Sequence, residues 1–271
     1  MADELFKGLL KCRQLELILA DGSFMQDYQA PSDLLKGKVI LVTGASDGIG
    51  RVAAKSYASV GATVILHGRD TPKLESIYDE IVEAGYPEPA AIPLNLVNAS
   101  PEQYKSLAQT IKEELGRLDG ILHNAGMISE LSPIEYTSFD TWNQIIQVNL
   151  NAVFGITQAC LPLLRESQSA SIITTSSGVG RQGRAFWGAY AVSKFAIEGF
   201  TQVLADEVDG SSIRVNAINP GATRTKMRAT AFPAEDKYAL KTPEQIMPLY
   251  LYLMGKDSET INGQSFDAQP K

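Results

Sequence analysis

Ser177, Tyr190 and Lys194 stand thirteen and then four residues apart, in the segments Thr175-Ser176-Ser177-Gly178 and Tyr190-Ala191-Val192-Ser193-Lys194. A spacing of four is about one helical turn, so on a helix the Lys194 ammonium and the Tyr190 phenol share a face. A neighbouring cation favours the ionised phenol. At about 4 Å and an effective dielectric of about 20 the attraction is roughly 4 kcal/mol. At about 1.36 kcal/mol per unit, that would bring a phenol from about pKa 10 to about 7. A tyrosine so tuned can give or take a proton near neutral pH. Tyr-x-x-x-Lys pairs are common on amphipathic helices, so the weight of this one depends on what surrounds it.

A second chemical signal lies far upstream. Val39 to Val42 read as a buried strand, and Thr43-Gly44-Ala45-Ser46-Asp47-Gly48-Ile49-Gly50 follows directly, leading into a helical stretch from Arg51 to Val60. Glycines at 44, 48 and 50 allow a tight turn and a close backbone approach to a ligand. The helix start then presents free N–H groups to a pyrophosphate. In this strand–turn–helix context the spacing G-x-x-x-G-x-G points to a dinucleotide. At the tip of the second strand stands His67-Gly68-Arg69, with no acid to bind a ribose 2′-hydroxyl and an arginine able to fork onto a 2′-phosphate. NADP is therefore expected over NAD, although Asp47 and Asp70 place negative charge close by.

These residues need a scaffold, and the chain supplies the pattern for one. From Lys38 onward short β-prone runs alternate with longer amphipathic stretches, the form of repeated βα units on a parallel sheet. Seven strands are expected: Val39–Val42, Thr63–His67, Ala91–Leu94, Gly120–His123, Ser171–Thr175, Arg214–Ile218 and Ser265–Asp267. Several lack clean alternation, as expected where helices cover both faces. Ser100-Pro101-Glu102-Gln103 and Thr242-Pro243-Glu244-Gln245 each carry the chemistry of a helix start, with a hydroxyl cap, proline at the first helical position and glutamine at the third. One α/β domain accounts for the 271 residues, long enough to bury a core without staples.

Composition excludes several classes. Lys plus Arg total 24 against 31 Asp plus Glu, a net charge of −7 that disfavours nucleic acid and anionic lipid surfaces. Cys12 and Cys160 are too few and too far apart for a disulfide framework. No uninterrupted apolar run reaches a membrane span, and the acidic start is unlike a signal peptide; a cytoplasmic setting is expected. His67 and His123 are the only histidines, and no cysteine or carboxylate around them has ligand spacing, so no metal site is expected. Arg181, Arg184, Arg224, Lys226 and Arg228 lie in two acid-free stretches, Gly178 to Ala189 and Ala222 to Ala234, that should flank the site. They read either as a basic mouth attracting an anionic substrate or acyl-carrier partner, or as solvated loop charges. Phe186 and Trp187 read as pocket lining or as loop anchors.

The whole core, Leu35 to Ala268, resembles the short-chain dehydrogenase/reductase family. The likeness rests on Thr43-Gly44-x-x-x-Gly48-x-Gly50, His123-Asn124-Ala125-Gly126, Val148-Asn149-Leu150, Ser177, Tyr190-x-x-x-Lys194 and Pro220-Gly221, in that order. Gly180-Arg181-Gln182-Gly183-Arg184, Phe232-Pro233-x-Glu235-Asp236 and Phe266-Asp267-Ala268-Gln269-Pro270 are similar to the YciK-like bacterial subgroup. The resemblance implies a Rossmann-type, doubly wound, seven-stranded parallel sheet and a hydride transfer between NADP and a carbonyl or secondary alcohol. Tyr190 would be the general acid/base, Ser177 would hydrogen-bond the substrate oxygen, Lys194 would tune Tyr190 and hold the nicotinamide ribose, and Asn149 would position a relay water. Cofactor residues implied are Gly44, Ser46, Asp47, Gly48, Ile49, Gly50, Arg69, Asn95, Leu96, Asn124, Ala125, Gly126, Tyr190, Lys194, Pro220, Gly221, Thr223 and Thr225. Asn95 stands where the family commonly has an aspartate against adenine, so an altered adenine contact is expected.

A 3-oxoacyl-[acyl-carrier-protein]-type reductase and a non-catalytic nucleotide-sensing module remain the alternative functions. The resemblance also implies a homodimer or homotetramer, with the helices from Phe139 and Gly188 as interface candidates. Residues 1–34 do not fit the βα rhythm. The first 24 are expected to be a non-native or dispensable arm, because Met25 begins a stretch resembling the start of the YciK-like proteins.

Overall fold

The computed structural model describes residues 27–270; the arm at residues 1–24 lies outside them. Seven parallel strands form one sheet: β1 (Val39–Thr43), β2 (Thr63–Gly68), β3 (Ala90–Pro93), β4 (Gly120–His123), β5 (Ala170–Thr175), β6 (Ile213–Asn219) and β7 (Ser265–Asp267). Their order is β3-β2-β1-β4-β5-β6-β7. All seven expected strands are present, with ends moved by one residue at most. The order reverses between β1 and β4, and a crevice opens there beyond the carboxyl ends of the strands, where such sheets bind ligands.

The helices are α1 (Gly48–Ser59), α2 (Thr71–Glu83), α3 (Pro101–Leu115), α4 (Phe139–Ile146), α5 (Ala152–Glu166), α6 (Gly188–Glu207), α7 (Lys226–Ala231) and α8 (Met247–Met254). Side chains of the central strands alternate between two cores. Ile40, Val42, Val64 and Leu66 pack with Ala54 and Tyr57 of α1 and Tyr250 and Leu253 of α8. Val39, Leu41, Ile65, Ile121 and Ile172 pack with α3, α5 and α6. Each fully buried aliphatic side chain contributes about 1.5–3 kcal/mol, so the sheet is a rigid platform for the loops at its carboxyl edge. Where α3 meets α5 the contact is close enough that a Cβ on Gly155 would come within 2.3 Å of the Tyr104 ring.

Local chemistry sets the helix starts. Asp47 caps α1, Asp70 caps α2, and Ser100 with Gln103 forms a capping box on α3. The second proposed start behaves differently. The Gln245 side chain accepts from the Thr242 N–H, yet Glu244–Ile246 is a 3₁₀ turn and the α-helix begins only at Met247. Pro248 has no N–H to give the Glu244 carbonyl, which disfavours an α-helix running through this point.

The helix from Phe139 continues through a π-turn at Gln147–Asn151 to Glu166. By length and composition this 28-residue helix could cross a membrane; 44% of its apolar window is buried in the protein, and its inner face packs on the sheet and on α3. Residues just before the domain boundary expected at Leu35 also pack on the domain. The Tyr28 hydroxyl donates to Asp257 at 2.7 Å, its ring meets Tyr252 edge-on at 5.2 Å, and Leu34 is buried over Gly255.

Candidate active site

The glycine turn joins β1 to α1 at the reversal of strand order. Gly44 takes φ +69, a conformation that costs L-residues about 1–2 kcal/mol. A Cβ on Gly50 would lie 2.2 Å from the Gly44 carbonyl oxygen and 2.5 Å from Asn124 Nδ2, so only glycine allows α1 to start this close to the turn. Thr43 Oγ1 accepts from the backbone N–H groups of Asn124 and Ala125, both at 3.0 Å, and Asn124 Nδ2 donates to the Thr43 carbonyl at 3.2 Å. The loop after β4 is thereby tied to the glycine turn.

A cleft of about 450 Å³ runs from this turn to Tyr190 and Lys194, past Gly48, Ile49, Pro220 and Thr225. At its far end a second hollow of about 310 Å³ is lined by Arg69, Asn95, Leu96, Ala125 and Gly126. Arg69 borders both and, among the described residues, forms no hydrogen bond or ion pair. A long anionic dinucleotide fits this set: an apolar-walled hollow for a base, the capped start of α1 for phosphates, and a free guanidinium between them. Asp47 does not oppose it. One oxygen accepts from the Gly48 N–H at 2.8 Å, the other meets Lys226 Nζ at 2.7 Å and Lys73 Nζ at 3.7 Å, and the Lys226 hydrogen bond holds the carboxyl below its usual range.

Not every expected cofactor residue reaches the cleft. Thr223 is buried behind it, bonded to the Pro220 carbonyl at 3.1 Å and approached by Gln269 Nε2 at 3.2 Å. Ser46 faces Gly68, and Gly50 acts through the close approach just described. Gln269 was missed as a site residue, although the stretch that holds it was noted. Its amide donates to the Pro220 and Ala222 carbonyls at 2.8 and 3.1 Å and pins the Pro220–Thr223 turn. A lone glutamine near a chain end carries no spacing signal.

At the other end of the cleft Tyr190 and Lys194 are both buried on the inward face of α6. Lys194 Nζ donates to the Thr175 carbonyl at 2.7 Å and lies 5.6 Å from the Tyr190 ring centre. The expected depression of the phenol to about 7 is not found. Burial pushes Tyr190 up to about 12, with Ser177 pulling the other way, and burial pushes Lys194 down to about 8. The ammonium is spent on a carbonyl of β5, and desolvation outweighs the attraction counted from spacing alone.

The Asn149 side chain is likewise committed. Oδ1 accepts from the Met127 N–H at 2.7 Å, while Nδ2 donates to the Met127 carbonyl and to Ser193 Oγ, both at 3.0 Å. It clamps the loop after β4 to the π-turn and to α6, and makes no direct bond to Lys194.

Beyond Ser177 a cavity of about 670 Å³ is lined by Gln182, Arg184, Trp187, Asn219 and Arg228 among others. Of the two readings of the nearby basic residues, a basic mouth or solvated loop charges, most of the charge fits neither, being paired within the fold. Arg181 pairs with Glu198 at 3.2 Å and Asp267 at 2.9 Å, Arg228 forks onto Glu235 with both bonds at 2.6 Å, and Lys226 pairs with Asp47. Arg224 donates to the carbonyls of Lys237, Tyr238 and Leu240. Glu198 also accepts from Ser176, next to Ser177, so the start of this loop is bound to α6. Phe186 holds φ +74 in the turn Arg184–Trp187. That position favours glycine and costs a bulky residue about 1–2 kcal/mol. The strained carbonyl accepts from the Ser132 N–H at 3.1 Å.

Among the described residues no group of three or more His, Cys, Asp or Glu is placed to hold a metal ion. The glycine turn, the buried Tyr–Lys pair and the flanking cavity agree with what comparison finds. Residues 38–236 match the short chain dehydrogenase family. The uncharacterized oxidoreductase YciK of Escherichia coli K12 is 55% identical over 243 residues, which are 90% of this chain and 96% of that protein. The solved structure of an oxidoreductase, YciK from E. coli, superimposes with a TM-score of 0.88 at 55% identity, covering 90% of this chain and all of that one. A short chain dehydrogenase from E. coli CFT073 complexed with NADPH gives 0.87 at 55% identity, covering 89% of this chain and all of that one. The 3-oxoacyl-[acyl-carrier-protein] reductase FabG of Thermotoga maritima is 33% identical over 239 residues, 85% of this chain and 95% of that protein. The chain is therefore a member of the short-chain dehydrogenase family, and an oxidoreductase.

Proposed function

We propose that the cleft binds NADP(H) and that the enzyme reduces a carbonyl compound, or oxidises the matching secondary alcohol, with Tyr190 as the general acid/base. One observation carries this reading: Ser177, on the wall of the substrate-sized cavity, interacts with the phenol of Tyr190, which lines the glycine-turn cleft together with Lys194. The cofactor supplies the hydride; the chain supplies binding, orientation and the proton. A phenol held up to about 12 is protonated at neutral pH, which suits it to donate to a carbonyl oxygen. Ser177, whose side chain already acts on the Tyr190 phenol, would hydrogen-bond the same oxygen. Lys194, charged below about pH 8, would stabilise the phenolate left behind and reach the cofactor ribose. Asn149 acts by fixing the loop that borders the cleft. Oxidation of NADPH in the presence of a panel of aldehydes and ketones tests the reading, and a panel left unreduced would sink it.

Arg69 is the residue assigned to the 2′-phosphate. Its replacement by alanine removes charge-assisted hydrogen bonds worth about 1.5–3 kcal/mol, so NADPH affinity is expected to fall roughly 10- to 100-fold while NADH affinity stays level. Fluorescence titration at fixed ionic strength reads both. Tighter NADH than NADPH binding in the unaltered enzyme would refute the assignment.

A self-association surface belongs to the same reading. Val192, Phe195 and Val203 are exposed along one side of α6, and Phe139 and Phe154 are exposed on the neighbouring helices. An apolar stripe of this kind fits a contact between copies of the chain.

A further inference from the structure

The cavity beyond Ser177 carries one charge that the fold does not answer. Of the five basic residues considered for the mouth of the site, only Arg184 and Arg228 line this cavity; Arg181, Arg228 and Lys226 have carboxylate partners and Arg224 has three carbonyls. Arg184 also lines the cavity and, among the described residues, its side chain has neither an ion pair nor a hydrogen bond. No acidic side chain among the described residues lines the cavity.

The Arg184 backbone is held by structure, while its side chain is exposed at the cavity's edge. Arg184 and Trp187 are the two ends of one turn, closed by the Trp187 N–H to Arg184 carbonyl bond, and both border the cavity. The turn keeps Phe186 at φ +74 and is anchored through the Phe186 carbonyl to Ser132. Backbone strain that the surroundings enforce, here at Phe186, gathers at functional sites. The turn presents a guanidinium beside an indole whose ring lies 5.6 Å from the Tyr190 ring. A guanidinium fork matches a carboxylate or a phosphate, and an indole face matches a flat apolar body.

Resting on the reductase reading, we propose that the substrate is an anionic carbonyl compound, with a carboxylate or phosphate held by Arg184, an apolar body against Trp187 and the carbonyl at Tyr190 and Ser177. Arg184 is then the specificity-determining residue for the anion. The other mouth cations are committed within the fold and contribute less.

Three probes that differ only in the end group test this: 4-acetylbenzoate, 4-acetylphenyl phosphate and methyl 4-acetylbenzoate. With NADPH, kcat/KM for the better anion is expected to exceed that for the neutral ester. In Arg184→Gln the anion-to-ester ratio is expected to fall at least tenfold, and Arg184→Lys is expected to recover part of it. Whichever anion loses more identifies the end group. Binding is read without turnover through tryptophan fluorescence of the NADP-loaded Tyr190→Phe enzyme: saturable, salt-sensitive quenching by an anionic probe, abolished by adding Arg184→Gln, supports the site. An ester reduced as well as the acids, or quenching indifferent to Arg184, overturns the anion assignment and leaves the reductase reading intact. Arg184-dependent quenching in an enzyme that reduces none of the probes keeps the anion site and counts against the reductase reading.

Discussion

Replacing Tyr190 by phenylalanine is expected to lower kcat for carbonyl reduction by about 10²- to 10⁴-fold, the range typical of a positioned general acid, with NADPH affinity retained. The ring stays, so its packing against Trp187 at 5.6 Å is kept, and only the proton is lost. The pH profile should separate Tyr190 from Lys194. Burial holds Lys194 at about 8, so kcat/KM for NADPH, which reports the unloaded enzyme, is expected to fall as pH rises through about 8. Lys194→Met should remove that limb. Equal turnover in Tyr190→Phe, or a profile flat through pH 9 in the unaltered enzyme, would contradict these roles.

The second large effect concerns stability in acid. His67 and His123, near the carboxyl ends of the interior strands β2 and β4, are both buried, and burial pushes them down to about 4 and about 3, with His67 further lowering His123. An unfolded histidine titrates near 6.5. Between about pH 6.5 and 4 the unfolded chain takes up protons that the folded chain refuses. Stability is therefore fullest above pH 6.5 and falls as pH drops, by up to about 1.4 kcal/mol per pH unit for each ring. Over that window each ring costs about 3 kcal/mol, against a total of roughly 5–15 kcal/mol for a domain. Carboxylates held below their usual range, such as Asp119 and Asp47, lose their contribution only below about pH 4, so the histidine window is distinct.

Among the described residues the His67 ring nitrogens have no hydrogen-bond partner, and His67→Leu should accordingly stabilise the enzyme at pH 5 by about 2 kcal/mol and halve the slope. His123→Leu is a poorer test, because His123 Nε2 bonds Thr157 Oγ1 at 2.8 Å. Urea midpoints by circular dichroism at pH 7, 6 and 5 read the effect. A slope unchanged in His67→Leu would show that other groups govern acid unfolding.

What was legible in the sequence follows physical lines. Strand runs such as Val39–Val42 and Ser171–Thr175 are continuously β-prone because both faces of the sheet are buried, so all seven strands could be found. The capping box at Ser100 is local chemistry and held; the similar stretch at Thr242 meets Pro248 six residues on, which disfavours an α-helix there. Spacing could put Tyr190 and Lys194 on one face, but it could not reveal that the Thr175 carbonyl takes the ammonium or that desolvation dominates the phenol. The two readings of the basic residues could not be separated from sequence for the same reason. Their partners Glu198, Asp267 and Asp47 come from distant parts of the chain, and only the fold brings them to Arg181 and Lys226. Gln269 was invisible as a site residue because its three contacts all cross the sheet's carboxyl edge.

Transfer of deuterium from NADPH labelled at the transferable C4 position to a ketone such as 4-acetylbenzoate bears most directly on the central assignment. One deuterium on the carbinol carbon of the product with the unaltered enzyme, and a rate at least 10²-fold lower in Tyr190→Phe, is the expected result. Product formed without the label, or formed equally fast by Tyr190→Phe, would contradict a hydride transfer completed by the Tyr190 proton.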